Sequence, residues 1–167
     1  MAIGQQAMKN PVLHTLGYEG ATLADFITQL KKAAVATVAD VRELPLSRKR
    51  GFSKTAFAAA LEGAGIGYVH LPALGCPKPI RERYRLDGDW SAYARAFGKH
   101  LDASSAAVLG LARLAAESRI CLVCFEADFN YCHRSIVAAA AANVSRLQVN
   151  HLFATEVTAG AERLSAA

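Results

Sequence analysis

Short apolar or β-branched runs alternate with longer stretches of helical periodicity along this chain, and that alternation limits what it can fold into. Residues 12–16, 35–41, 66–71 and 120–125 read as strands, and 147–152 as a last one. Thr22 stands as the N-cap of a helix that carries Leu23, Phe26, Ile27 and Leu30 on one face. Ser53 opens a second helix with Phe57, Ala60 and Leu61, ended by the cluster Gly63, Gly65 and Gly67. Further helices are expected near 90–100 and 104–118, and another opens at Cys132. Residues 72–89, with their prolines and arginines, read as a long connection. Strand–helix alternation with right-handed crossovers predicts a single three-layer α/β domain, 12–154, with a central mainly parallel sheet and helices on both faces. An N-terminal extension, 1–11, precedes it, and a C-terminal tail, 155–167, of small and polar residues follows.

The chain has 167 residues, 53% of them hydrophobic, which suffices for one substantial core and argues against disorder. Its formal net charge of +5 suits anionic partners. No apolar run approaches the roughly 20 residues that span a bilayer, and residues 1–10 lack the apolar centre of a secretion signal. A cytoplasmic location with no membrane partner is therefore expected. In that compartment Cys76, Cys121, Cys124 and Cys132 are expected free, reactive or metal-binding rather than disulfide-bonded.

The expected strand ends collect the chemistry. Tyr18 and Glu19 follow the first strand. Asp40 and Arg42 end the second, with Ser47, Arg48, Lys49 and Arg50 beyond. His70 closes the third. Cys124 and Glu126 end the fourth, and Cys132, His133, Arg134 and Ser135 open the next helix. In a parallel sheet all of these share the carboxyl edge, where such folds bind ligands. A helix N-terminus adds free N–H groups and partial positive charge. Bland alternatives exist for each group. Cys132 is also suited to be a small buried hydrophobe, Arg134 to pair with Glu126 or Asp128 across its own loop, Asp40 and Arg42 to pair with each other, and His70 to be packed. The run from Arg48 to Arg50 is equally a solvated loop.

Three chemistries compete. In the first, an enzyme holds an anion with Tyr18, Arg42, Ser47, Arg48, Arg134, Ser135 and helix amides. Asp40, His70, Glu126 or His133 move protons and Cys132 attacks. A helix-terminal position beside Arg134 and partial access through the polar loop would make the Cys132 thiol more acidic than usual. In the second, Cys124, Cys132 and His133, with Glu126 or His70, bind a metal. In the third, Arg48, Lys49, Arg50, Arg81, Arg83 and Arg85 contact a nucleic-acid backbone while Tyr84 or Trp90 stacks on bases. A cysteine-phosphatase loop is excluded, since Cys-x5-Arg counted from Cys124 lands on Asn130. There is no P-loop and no dinucleotide fingerprint.

The ordered set Thr15-Leu-Gly-Tyr18-Glu-Gly, Ala39-Asp40-Val-Arg42-Glu-Leu-Pro45, Tyr68-Val-His70-Leu-Pro-Ala-Leu-Gly75, and Cys124-Phe-Glu126 with Cys132-His133-Arg134-Ser135 resembles the DUF488 family, a domain of unknown function. Pro45-Leu-Ser47-Arg48 agrees with the Pro-x-Ser-Arg of many members. The resemblance implies a fold and a set of shared positions: Tyr18, Asp40, Arg42, Pro45, Ser47, His70, Gly75, Glu126, Cys132, His133 and Arg134. It implies no reaction. The reading adopted is a hydrolase or transferase acting on an anionic small molecule, nucleotide or nucleic acid, with no cofactor and no metal. The nucleic-acid module and the metal protein are the alternatives.

Overall fold

A computed structural model describes residues 9–155. Residues 1–8 and 156–167, which hold most of the expected extension and tail, lie outside the described residues. Five strands form one all-parallel sheet: β1 (Val12–Gly17), β2 (Thr37–Asp40), β3 (Gly67–His70), β4 (Ile120–Cys124) and β5 (Gln148–His151). Their order is β3-β2-β4-β1-β5. Each expected strand is present; β1 runs one residue further than expected and the other four are trimmed by a residue or a few, at ends where strand and loop are least distinct.

Among the described residues there are six α-helices: α1 (Leu23–Lys32), α2 (Lys54–Gly63), α3 (Lys78–Asp87), α4 (Trp90–Ala103), α5 (Ser105–Glu117) and α6 (His133–Ser145). Thr22 caps α1 as expected, accepting from the Asp25 backbone N–H at 3.1 Å. The helices divide between the two faces of the sheet. Phe26 and Leu30 of α1 and Phe57 and Leu61 of α2 join Val38 and Val123 in one core. Tyr93 and Phe97 of α4, Leu111 of α5 and Val137 of α6 join Leu13 and Leu122 in the other. At about 1.5–3 kcal/mol for each large apolar side chain removed from water, these two layers are the main source of stability.

One expectation fails. Residues 72–89 are not an open connection but contain a 3-10 turn, Pro72–Leu74, and the whole of α3. Pro77 stands at the N-cap position and Pro79 in the first turn, where a missing N–H breaks no helical bond. Ile80 and Tyr84, four apart, pack against the core below α4. Gly88 ends the helix in the left-handed region at φ 65°. Prolines that mark a helix start therefore resemble those of a loop until a packing face is recognised.

The chain leaves β1 and β2 toward helices on one face, and leaves β4 toward α6 on the other. Divergent exits from adjacent parallel strands open a crevice at their carboxyl ends. That crevice lies over β2, β4 and β1.

Candidate functional site

Strand β4 is buried along its whole length. By alternation its side chains divide between the layers, with Ile120 and Leu122 in the core under α4–α6, and Cys121 and Val123 in the core under α1 and α2. Cys124 falls on the side of Leu122, facing α6. The chain then makes a loop and returns to Cys132, the N-cap residue of α6.

That loop is fastened from several directions. The backbone N–H groups of Tyr18 and Glu19 donate to the Cys124 and Phe125 carbonyls at 3.2 and 2.7 Å. The Ala127 N–H donates to the Glu19 carboxylate at 2.9 Å. Phe129 stacks on His151 with ring centroids 3.8 Å apart. From below, Arg134 donates to the Glu126 and Ala127 carbonyls and, at 3.4 Å, to the Thr15 hydroxyl. Gly17 permits this approach, because a Cβ there would lie 1.8 Å from the Glu126 carbonyl oxygen.

The fastened loop brings four reactive groups together. One Glu126 carboxyl oxygen, Oε2, accepts from both the Cys124 and Cys132 thiols at 3.2 Å. His133 Nδ1 lies 3.6 Å from the Cys124 sulfur and 4.0 Å from the Cys132 sulfur. His133 Nε2 lies 2.7 Å from the Val41 carbonyl. A carbonyl only accepts, so Nε2 carries the hydrogen and donates it. In the neutral ring the Nδ1 lone pair then faces the sulfurs.

Burial and these contacts shift the whole group. Burial raises the Glu126 carboxyl, with the Cys132 charge adding to it. The hydrogen bond with Cys132, then burial, push the Cys124 thiol up. Burial also opposes ionisation of Cys132, but the Cys124 and His133 hydrogen bonds and the His133 and Arg134 charges outweigh it and hold this thiol well below its usual value. Burial works against the His133 cation, and the bond and charge of Cys132 raise it nonetheless. Of the two thiols it is Cys132 whose thiolate is favoured, chiefly through its hydrogen bonds to Cys124 and His133, with the Arg134 charge a smaller contribution.

The expected partial access of Cys132 is not found. Its side chain packs behind Glu126 at the helix start and is 1% exposed. Cys124, read from sequence as an alternative metal ligand but not as a catalytic group, lines the cleft instead. With Glu126 and His133 it forms the floor of a cavity of about 590 Å³. Tyr18, Arg42, Ser47 and Arg48 line the same cavity, as do Arg81 and Arg85 of α3. Leu46, Phe125 and Tyr131 add an exposed apolar rim. Arg81 pairs with Glu43 at 2.6 Å. Its Nε is the one buried side-chain donor without a partner among the described residues. Arg83 instead faces a groove between α3 and α4, and Arg50 is not in the cavity wall.

Five expected site residues serve other purposes. Asp40 is fully buried under Arg42, which donates to it from Nε at 2.8 Å and from a terminal nitrogen at 2.6 Å. Tyr68 donates its hydroxyl to the same carboxylate at 2.7 Å. Arg42 also donates to the Tyr18 hydroxyl and the Phe52 carbonyl at 3.1 and 2.7 Å, so most of its fork is committed. Asp40 therefore has no face toward the cleft. His70 is tied to the Arg42 carbonyl at 2.8 Å and lies outside the cavity wall. Arg134, fully buried, spends its donors on the loop carbonyls and Thr15 rather than on the Glu126 or Asp128 carboxylates. The Ser135 hydroxyl donates to the Cys132 carbonyl at 2.8 Å.

The model of the family described as domain of unknown function DUF488 matches residues 22–141. The chain belongs to the DUF488 family. The matched span contains Asp40, Arg42, His70 and the Cys124–Ser135 segment, while Tyr18 and Glu19 precede it. No curated protein and no solved structure matches this DUF488 chain. Among the described residues, no helix is long and apolar enough to cross a membrane.

Proposed function

We propose that this DUF488 protein is an enzyme, a hydrolase or transferase, acting in the cleft on an anionic substrate of the nucleotide or nucleic-acid class. The supporting observation is a basic and aromatic mouth set over a floor of proton-bearing groups. Arg48, Arg81 and Arg85 carry cations into the cleft wall. Phe125 and Tyr131, 45% and 53% exposed beside them, offer faces on which a base can stack. Beneath lie Glu126 and His133 as proton carriers, with Cys124 the thiol nearest the substrate. Asp40 and His70 fall outside this set: Arg42 and Tyr68 hold the Asp40 carboxylate, and His70, bonded through Nε2 to the Arg42 carbonyl, does not line the cleft.

A non-catalytic nucleic-acid module draws on the same arginines but makes no use of the floor. The test is binding of mononucleotides and short oligonucleotides at low salt, to wild type and to Arg48→Glu and Arg85→Glu. Both reversals should weaken binding and flatten its salt dependence. A wild type that binds neither ligand class at low salt overturns the proposal. Wild-type affinity retained in Glu126→Gln and His133→Gln, without any turnover of the bound ligand, favours the module.

A further inference from the structure

The geometry points to a zinc site in the floor of the cleft, with the sulfurs of Cys124 and Cys132 and Nδ1 of His133 as ligands and the fourth tetrahedral position left to an exogenous ligand. This goes beyond the anion-binding proposal and does not depend on it; with the ion bound, Cys124 and His133 would serve as its ligands, and Glu126 alone would remain a proton carrier on the floor.

The side chains already stand near ligand spacing. Zn–S bonds of about 2.3 Å and Zn–N and Zn–O bonds of about 2.0 Å, arranged tetrahedrally, put sulfur about 3.5 Å from nitrogen or oxygen. The observed separations are 3.6 and 4.0 Å from sulfur to Nδ1. The ligand atoms of Cys124, Cys132 and His133 all lie within 4.8 Å of one another. Bringing each sulfur and Nδ1 to the spacing that a shared ion imposes needs shifts of no more than about half an ångström.

The surroundings favour the same outcome. Nε2–H of His133 donates to the Val41 carbonyl at 2.7 Å. That bond fixes the ring and the tautomer with Nδ1 free toward the sulfurs, the outer-shell arrangement that metal-bound histidines adopt. The two thiols and the carboxyl meet at a single oxygen, so their three anionic forms would repel one another. A divalent cation removes that conflict and allows all three to be deprotonated. Soft sulfur ligands select zinc over magnesium or calcium. On binding, each thiol transfers its proton to solvent and forms a bond to the metal, with no change of oxidation state.

The test uses the full chain, reduced, stripped with chelator and titrated with Co(II) as the spectroscopic probe. Wild type and Cys121→Ala should take up one ion per chain. They should show a sulfur-to-metal charge-transfer band and intense tetrahedral visible bands, both abolished by added zinc. Cys124→Ser and Cys132→Ser should weaken uptake by roughly a hundred-fold or more. X-ray absorption of zinc-loaded wild type, which needs no variant to fold, should show two sulfur and two nitrogen or oxygen neighbours. A wild type without the charge-transfer band, a zinc shell without sulfur, or serine variants that bind as wild type would overturn the assignment. Oligonucleotide binding by chelator-stripped protein is read separately, so failure here leaves the anion proposal standing, and the reverse holds.

Discussion

Replacing Asp40 by Asn tests how the wall of the cleft is held. The carboxylate is fully buried and accepts four hydrogen bonds: Arg42 N–H at 3.1 Å, Arg42 Nε at 2.8 Å, a terminal Arg42 nitrogen at 2.6 Å, and Tyr68 hydroxyl at 2.7 Å. Asparagine keeps one accepting oxygen and turns an NH2 donor toward two other donors. Two charge-assisted bonds go, worth about 1.5–3 kcal/mol each. The guanidinium also stays buried without its counter-charge, a situation that costs about 3–5 kcal/mol in comparable pairs. The Tyr18 and Phe57 rings, 5.3 and 5.7 Å from the guanidinium carbon, recover a part. We expect a net loss of about 3–5 kcal/mol, or a fall in Tm of roughly 6–20 °C at about 2–4 °C per kcal/mol for a chain this long. Urea unfolding followed by fluorescence measures it, through a lower midpoint at unchanged slope. The double variant Asp40→Leu/Arg42→Met should regain much of that loss, because it leaves no buried charge unpaired. A loss below about 1 kcal/mol for Asp40→Asn would show that the pair is not desolvated as described and would refute the reasoning.

Three further outcomes are expected. Gly17→Ala drives a methyl into the Glu126 carbonyl and should cost at least about 1–3 kcal/mol in urea unfolding; wild-type stability would mean that the loop does not rest on β1. Tyr68→Phe deletes one donor to Asp40 and should lose about 1.5–3 kcal/mol by the same assay, with an unchanged midpoint counting against that bond. Burial, with the Arg119 charge, lowers the His14 pKa below 6.5 in the folded protein, so the unfolded chain takes up the proton first. Stability should then fall as pH drops from about 7 toward 5, and His14→Asn should flatten that decline. A decline of unaltered steepness would contradict it.

The strand positions were legible because each buried strand is a short apolar run between turn residues, a pattern set by local sequence. Strand order was not, since nothing within residues 12–16 or 35–41 records that β4 will separate them. Helix α3 was hidden by Pro77 and Pro79, whose meaning depends on the packing of Ile80 and Tyr84. The reactive residues were legible by type, and their convergence on β4 and its loop followed from parallel topology. Their partners were not. Arg134 offers its donors to backbone carbonyls, which no side-chain pattern reveals. Cys124 and Cys132 are eight positions apart, and only the folded loop puts both thiols on one carboxyl oxygen. The separation Cys-x-Glu, followed by Cys-His, is the signal that could have drawn attention to Cys124.

The sheet's central strand is the fourth to be made. β1 has β4 and β5 as its neighbours, and β2 meets β1's half of the sheet only through β4. While the ribosome has released no more than the first 119 residues, β2 and β3 can pair, but β1 has no partner. Its apolar residues Leu13 and Leu16, fully buried at the end, must then stay in contact with solvent, α1 or a chaperone. Joining of the sheet's two halves waits for β4, and the segment that makes the join also delivers Cys124, Glu126, Cys132 and His133. Assembly of the domain and assembly of its chemistry are thus a single late event on the growing chain. A nascent chain arrested before β4 should remain protease-sensitive throughout, and one arrested after α6 has cleared the exit tunnel should become resistant in one step.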